Sequence, residues 1–218
     1  MKYTPIDFGE KTALENMEDD FILLGTIKEP ILRFYRFSSL SATHGYFMDP
    51  APFLNQAGVD QHKLQIAKRP TGGGFLIHGF DFTFSLLIPI GHCDYVDNVL
   101  ASYHLINQKV IDGMRLAFDI FPRMIDHQES SPRGGFCMAK PTIYDLMLHG
   151  KKIGGAAQRR TKKGILHQGS INLKPIERSL LENILLDPSV INAIEARSAA
   201  IEGDPEVLKA SLIKVFNS

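Results

Sequence analysis

Ala13, Leu14, Met17, Phe21 and Leu24 recur at helical spacing and predict an amphipathic helix over roughly residues 11–24. Thr12 stands three residues before Glu15, the spacing of a capping box, in which each side chain satisfies the other's backbone N–H. The period then shortens. LRFYRF (32–37), KLQIAKRP (63–70), GFLIHG (74–79) and DFTFSLLIP (81–89) read as strands. In the last, Phe82, Phe84, Leu86 and Ile88 share one face, and Asp81, Thr83 and Ser85 the other. Residues 38–60 are rich in turn formers, with one short helix expected near 52–57.

The longest helical pattern runs from Asp94 to about Phe118. Val96, Val99, Leu100, Tyr103, Val110, Met114 and Ala117 form its stripe, and Asp94 is the expected N-cap. Gly113 inside it costs about 1 kcal/mol relative to Ala. DHQESSPRGG (126–135) reads as an exposed loop. Strands follow: FCMA (136–139), DLMLHGKKIGGAAQRR (145–160) and GILHQGSINL (164–173), with meander turns at His149–Gly150 and Thr161–Gly164. Leu180, Leu181, Ile184, Val190, Ile191 and Ile194 are again helical, interrupted near Pro188. Val207, Leu208, Leu212 and Val215 predict a last short helix after Pro205. Helices at both ends and in the middle, with two groups of hairpin strands, predict an α+β fold rather than regular βαβ units.

Composition narrows the function. The chain has 218 residues, enough for one domain of generous size, and 44% of them are hydrophobic. Lys plus Arg and Asp plus Glu both number 24, so no basic excess points to nucleic acid as a partner. No apolar run nears the ~20 residues of a membrane span. The acidic start MKYTPIDFGEKTALENMEDD has neither a signal core nor the basic character of a transit peptide, so a cytoplasmic protein is expected. Cys93 and Cys137 offer no disulfide framework. The histidines lack HxxxH or paired CxxC spacing, so no metal site is expected.

Three places carry candidate chemistry. KRPTGGGFLIHG (68–79) lets backbone N–H groups approach an anion or carbonyl closely, with Arg69 as a fixed charge beside them. Taken alone, it fits a bulged hairpin turn equally well. In GKKIGGAAQRR (150–160), small residues clear a surface, and strand alternation puts Lys152 on the side of Gly154 and Ala156. A lysine there can grip a carboxylate, phosphate or acyl oxygen, although a lone lysine is most often a solvated edge residue. Cys137, in GGFCMAKP, is either a thiolate nucleophile or a small core residue.

In order along the chain, ALENMEDD (13–20), LRFYRF with THGYF (43–47), KRPTGGGFLIH, INQKVIDGMRLAF (106–118) and KKIGGAAQRRTKKGILHQGSI resemble the motifs of the lipoate–protein ligase A and octanoyltransferase superfamily. Biotin–protein ligase catalytic domains are its more distant members. The resemblance implies one catalytic domain over 1–218; many ligases add a C-terminal accessory domain, for which 218 residues leave no room, and that weighs against a complete ligase unless a separate chain supplies it. It implies a mixed, mostly antiparallel sheet with helices on one side, in the class II synthetase-like manner. It also implies amide attachment of lipoate or octanoate to a lysine of a lipoyl carrier domain, in 2-oxoacid dehydrogenase complexes or the glycine cleavage H protein. Carried over, Arg69, Gly72, Gly73 and Gly74 would hold the activated acyl head group and His78 would close that pocket. Lys152 would contact the acyl carbonyl or its leaving group, and Gly154, Gly155 and Ala156 would line the acyl slot.

Two activation routes follow from the resemblance. Gly74, the third glycine, is similar to the ligases, which activate free lipoate with ATP and Mg2+. On it and on the overall resemblance, lipoate–protein ligase activity is placed first. The context of Cys137, with Pro141 and Tyr144, is similar to the cysteine octanoyltransferases, which need no such cofactors and take octanoate from an acyl carrier protein. That is the alternative. A non-catalytic binder of acylated carrier domains is the third reading, against which Arg69 and Lys152 both being present argues.

Overall fold

The computed structural model describes residues 2–125 and 142–218. The exposed loop expected at 126–135 and the strand expected at FCMA lie outside the described residues. The chain opens with strand β1 (Thr4–Lys11) and helix α1 (Ala13–Thr26). The capping box is formed: Thr12 Oγ1 accepts from the Glu15 N–H at 3.3 Å, and the Glu15 carboxylate accepts from the Thr12 N–H at 2.9 Å. Strands β2 (Ile31–Phe37) and β3 (Ser41–His44) follow, then a single 3-10 turn at Ala51–Phe53 and helix α2 (Gln56–Gln61). Next come β4 (Gln65–Lys68), β5 (Leu76–His78), β6 (Asp81–Pro89) and the long helix α3 (Val99–Phe118). The remainder is β7 (Arg123–Met124), β8 (Leu146–Leu148), β9 (Lys151–Arg160), β10 (Gly164–Asn172), α4 (Arg178–Ile184), α5 (Pro188–Arg197) and α6 (Pro205–Phe216).

The fold is α+β, with a mostly antiparallel sheet. Among the described residues, seven strands form it in the order β1-β2-β6-β10-β9-β8-β7, and of their pairings only β1 with β2 is parallel. A three-stranded sheet, β4-β3-β5, stands apart. Helices cover both faces of the large sheet, not one. Phe82, Phe84, Leu86 and Ile88 of β6 meet Ile106, Val110 and Met114 of α3 and Leu208 and Leu212 of α6 in the main core. On the opposite face, Leu87 and Leu166 meet Leu24 and Ile27 of α1 and its end. The small sheet builds a second core, Phe75 and Ile77 against Leu181, Ile184, Ile191 and Ile194.

Two expectations for α3 are corrected. Its cap is Asn98, whose Oδ1 accepts from the Ala101 N–H at 2.9 Å. Asp94 instead accepts from Tyr3 Oη and Lys109 Nζ, both at 2.8 Å. With the start displaced, Val99 and Leu100 are half exposed, and Ile106, Ile111 and Met114 carry the buried stripe. Gly113 has a packing reason: a Cβ there would meet Leu212 Cδ2 at 2.5 Å, because α6 crosses α3 at that point.

Candidate active site

Register across the large sheet sorts the face opposite α3 and α6 into rows. Tyr35, Thr83, Ser170 and Gly155 stand side by side on β2, β6, β10 and β9. The next row is Arg33, Ser85, Gln168 and Ala157, and the one beyond is Ile31, Leu87, Leu166 and Arg159. The first row is small toward β9, the second polar, the third mostly apolar and covered by α1. Above the first two rows lies a cavity of about 360 Å³, closed on its other side by Thr43, Leu76 and His78 of the small sheet and by Gly73 and Gly74. Burial, and then the Asp20 charge, push the Tyr35 phenol up, so the cavity wall presents a neutral hydroxyl.

Lys152 enters this cavity and is nearly fully buried. Its Nζ lies 2.7 Å from Asp145 Oδ2. The same oxygen accepts from the Thr142 N–H at 2.6 Å and Thr142 Oγ1 at 3.0 Å. The carboxylate is thus fixed by its own turn before it meets the lysine. That turn carries Tyr144 at φ +68°, a left-handed position, held by Tyr144 N–H to Ile125 O at 2.8 Å and Asn107 Nδ2 to Tyr144 O at 2.9 Å.

Alternation predicts that Lys152 shares a side with Gly154 and Ala156. It does not, because the β8–β9 pairing slips: Met147 faces Lys152 but Leu146 faces Gly154. The extra residue, Ile153, points into the main core, and the bulge reverses the alternation. Gly155 becomes the neighbour of the lysine. A Cβ on Gly155 would lie 2.6 Å from Asp145 Oδ1 and 3.2 Å from Lys152 Nζ, so the buried pair occupies the space of the missing side chain. Gly154 faces Ser170 O and Ile171 instead, although Gly154, Gly155 and Ala156 all contribute to the cavity lining.

Arg69 is buried and its bonds run to the protein. Nη1 donates to Thr43 O at 2.9 Å and Thr43 Oγ1 at 2.8 Å; Nη2 donates to Gly72 O at 3.2 Å and Gly74 O at 2.7 Å. It shapes the glycine loop. Gly73 has φ +96°, a conformation that L side chains rarely adopt. Opposite it, a Cβ on Gly45 would stand 1.9 Å from Gly73 O, so the loop can seat only against a glycine.

His78 is sandwiched. Nε2 is 2.7 Å from Thr43 Oγ1, Nδ1 is 2.8 Å from Asp81 Oδ2, and Phe37 stacks on the ring at 4.2 Å. Ser170 Oγ also donates to Asp81 Oδ2, at 2.5 Å. Thr43 Oγ1 accepts from Arg69 and so stands between the guanidinium and the His78 ring, with Asp81 on the ring's other nitrogen. Carboxylate, imidazole and hydroxyl follow the order of a nucleophilic triad. Thr43, however, is fully buried. The chain from Ser170 to Arg69 therefore holds the His78 ring and the glycine loop in place.

A second network lies under the floor. Arg33, fully buried, donates to Asp20 Oδ1 at 2.8 Å and Asp19 Oδ2 at 2.9 Å. Ser85 Oγ and Gln168 Nε2 also donate to Asp20, at 2.6 and 2.7 Å, and Thr71 Oγ1 donates to Gln168 Oε1 at 2.6 Å. Burial pushes the Asp20 carboxyl up, against Arg33, Ser85 and Gln168, which favour the carboxylate. The acidic run of α1 thus reaches the glycine loop through Gln168.

The structure brings Arg69, Gly73, Gly74, His78, Lys152, Gly154, Gly155 and Ala156 to one cavity. Gly72 joins through Arg69, and Cys137 lies outside the described residues. Sequence reasoning passed over Thr43, Asp81, Asp145 and Gln168 as site residues. Asp145 had a signal: across the turn at His149–Gly150, a hairpin brings it back beside the start of β9. No helix among the described residues is long and apolar enough to cross a membrane.

Residues 12–201 match the model of the lipoyl protein ligase A/B catalytic domain. Octanoyltransferase LipM of Halalkalibacterium halodurans is 32% identical over 187 residues, covering 81% of this chain and 68% of the relative. Among solved structures, a lipoate-protein ligase A bound with ATP matches with a TM-score of 0.78 at 22% identity, covering 99% of this chain and 84% of the other. A bi-partite lipoate protein ligase from Thermoplasma acidophilum, described with its E2 lipoyl domain, matches with a TM-score of 0.77 at 19% identity, covering 99% and 83%. At such identities the structural likeness speaks for the fold alone.

Proposed function

The chain belongs to the lipoyl protein ligase A/B catalytic-domain family of lipoyl and octanoyl transfer enzymes, and we propose that it is an octanoyltransferase acting on a lysine of a lipoyl carrier domain. The observation that carries this is the 32% identity to an octanoyltransferase over most of the chain. It reverses the order in which sequence reasoning placed ligase and transferase.

The cavity suits the chemistry. Cys137 thiolate attacks the carbonyl of an octanoyl thioester on a carrier protein, and the carrier thiol leaves, taking up a proton. The lysine of the acceptor domain, neutral after losing a proton, then attacks octanoyl-Cys137. The nitrogen gives up a further proton to solvent as the amide forms and the thiolate is regenerated, without ATP. Lys152 presents an ammonium in a dry wall, where a donor aimed at a developing oxyanion is worth most. Asp145 at 2.7 Å balances and orients it, an arrangement suited to an uncharged thioester more than to a triphosphate. Arg69 and His78 hold the glycine loop as the opposite wall, and Gly155 leaves room beside the lysine.

Gly74 favours a second reading, in which the same cavity receives lipoyl adenylate made from lipoate, ATP and Mg2+. A single experiment separates the two. Purified protein is given a lipoyl domain with octanoyl carrier protein alone, or with lipoate plus ATP, and the domain is weighed by mass spectrometry. ATP-free octanoylation, lost in Cys137→Ser, is expected. Modification only in the lipoate-plus-ATP reaction, intact in Cys137→Ser, would sink the transferase reading.

A further inference from the structure

Beside the glycine loop the surface changes character. Phe21, Tyr46 and Phe47 are 56%, 43% and 94% exposed. Arg159 Cζ lies 5.6 Å from the Phe21 ring and 5.1 Å from Tyr46, and Lys68 Nζ lies 4.2 Å from the other aromatic contact of this cluster, again the Tyr46 ring. Tyr46 and Phe47 rings meet at 5.1 Å. From Arg159 the hairpin continues as RRTKK (159–163), a run with no acid, in a chain whose net charge is zero. Arg160 turns to the other face, donating to Asp97 O, while Lys68 and Arg159 are interleaved with the exposed rings of Phe21 and Tyr46.

The patch is tied to the cavity. Arg159 Nη1 donates to Pro70 O at 3.0 Å, and Thr71 O accepts from the Tyr46 N–H at 2.8 Å. Three residues further along, Gly73 lines the cavity; that span is at most about 10 Å of chain. The patch thus borders the cavity through the start of the glycine loop.

We propose that Lys68, Arg159 and the rings of Phe21, Tyr46 and Phe47 form the docking surface for the acceptor carrier domain, and that the docked face of that domain is acidic. Charge complementarity selects the partner, and exposed aromatics supply the anchor that a purely electrostatic contact lacks. The inference rests on the acceptor half of the proposed reaction, which transferase and ligase readings share. A neutral overall charge favours a protein over nucleic acid.

The test uses the full chain and an unmodified lipoyl domain, with binding by titration calorimetry and turnover followed in parallel. Lys68→Glu weakens the lipoyl-domain Kd about tenfold, as expected when like charges are brought together at an interface rim. Phe47→Ser weakens it independently, and the salt dependence of wild-type binding flattens in the charge reversal. An unchanged Kd in both variants overturns the docking surface, whichever way turnover comes out. Absence of carrier modification by the wild type, with patch-dependent binding intact, indicts the proposed reaction instead. Tighter binding of a duplex oligonucleotide than of the lipoyl domain, lost in the charge reversal, overturns the choice of partner.

Discussion

The two faces of the large sheet are built on different physics. Toward α3 and α6, β6 presents Phe82, Phe84, Leu86 and Ile88, and stability there comes from volume and dry contact. Toward the cavity and α1, neighbouring strands present Arg33, Ser85, Gln168, Thr83 and Ser170, nearly all of them buried and hydrogen-bonded. Substitutions on the first face remove contacts, whereas on the second they leave charges or donors without partners. That difference separates residues whose loss unfolds the protein from residues whose loss also disarms the cavity.

The largest effect is expected at Lys152. Lys152→Met lowers acyl transfer about 10²–10³-fold. It also costs about 3–5 kcal/mol of stability, because Asp145 is left buried without its counter-charge. Lys152→Met/Asp145→Asn recovers stability in urea titrations but not turnover. Recovery of both would remove the lysine from the chemistry.

Next, Arg33→Met and Leu86→Ala compare the faces directly. Leu86→Ala costs about 2–5 kcal/mol as a cavity in the core, with turnover per folded molecule unchanged. Arg33→Met costs about 3–5 kcal/mol by stranding Asp20. It additionally lowers turnover, since Asp20 positions Gln168 and, through it, Thr71. Equal turnover in the two variants, measured at matched folded fractions, would dissolve the distinction.

His167 is a fully buried ionisable group on the packing face. It stands opposite Leu86, accepts from Gln158 Nε2 at 3.0 Å, and burial pushes its pKa down to about 3. The unfolded chain takes up a proton near pH 6.5 and the folded one does not until about 3, so stability falls as pH drops through that window. From pH 6.5 to 5 the loss is about 2 kcal/mol. His167→Phe flattens that part of the profile in denaturant titrations; an unchanged slope places the effect elsewhere.

The smallest effect is at Gly113. Gly113→Ala gains helix propensity but drives a methyl against Leu212, for a net loss of about 1 kcal/mol. Gly113→Ala/Leu212→Ala removes the clash and isolates the propensity gain in a double-mutant cycle.

Much of the fold was legible where periodicity is strong. The α1 box and the two-faced β6 are local, and both stand as read. Strand β1 was not legible: TPIDFGEK lies on the sheet's edge, is largely exposed, and carries a register break between Asp7 and Glu10, so no alternation survives. SATH is too short to show a period. In α3, Asp94 and Asn98 are both good caps by residue type, and only the tertiary contacts of Asp94 with Tyr3 and Lys109 decide between them. The site was half legible. Its glycines, Arg69, His78 and Lys152 stand out in sequence, but the side taken by Lys152 depends on a bulge. Gln168 matters only because Asp20 and Thr71, distant along the chain, meet on either side of it.

One consequence of the Arg69 clamp concerns the direction of the loop's electric field. Gly72 O and Gly74 O both turn toward its guanidinium. A trans peptide sets N–H opposite to C=O, so the amide protons of Gly73 and Phe75 are aimed away from the arginine. The residue thereby polarises the loop, gathering negative ends on one side and presenting positive ends on the other. Arg69→Lys keeps the charge but gives up the planar fork that aligns both carbonyls, so it acts less as a conservative exchange than as a loss of aim.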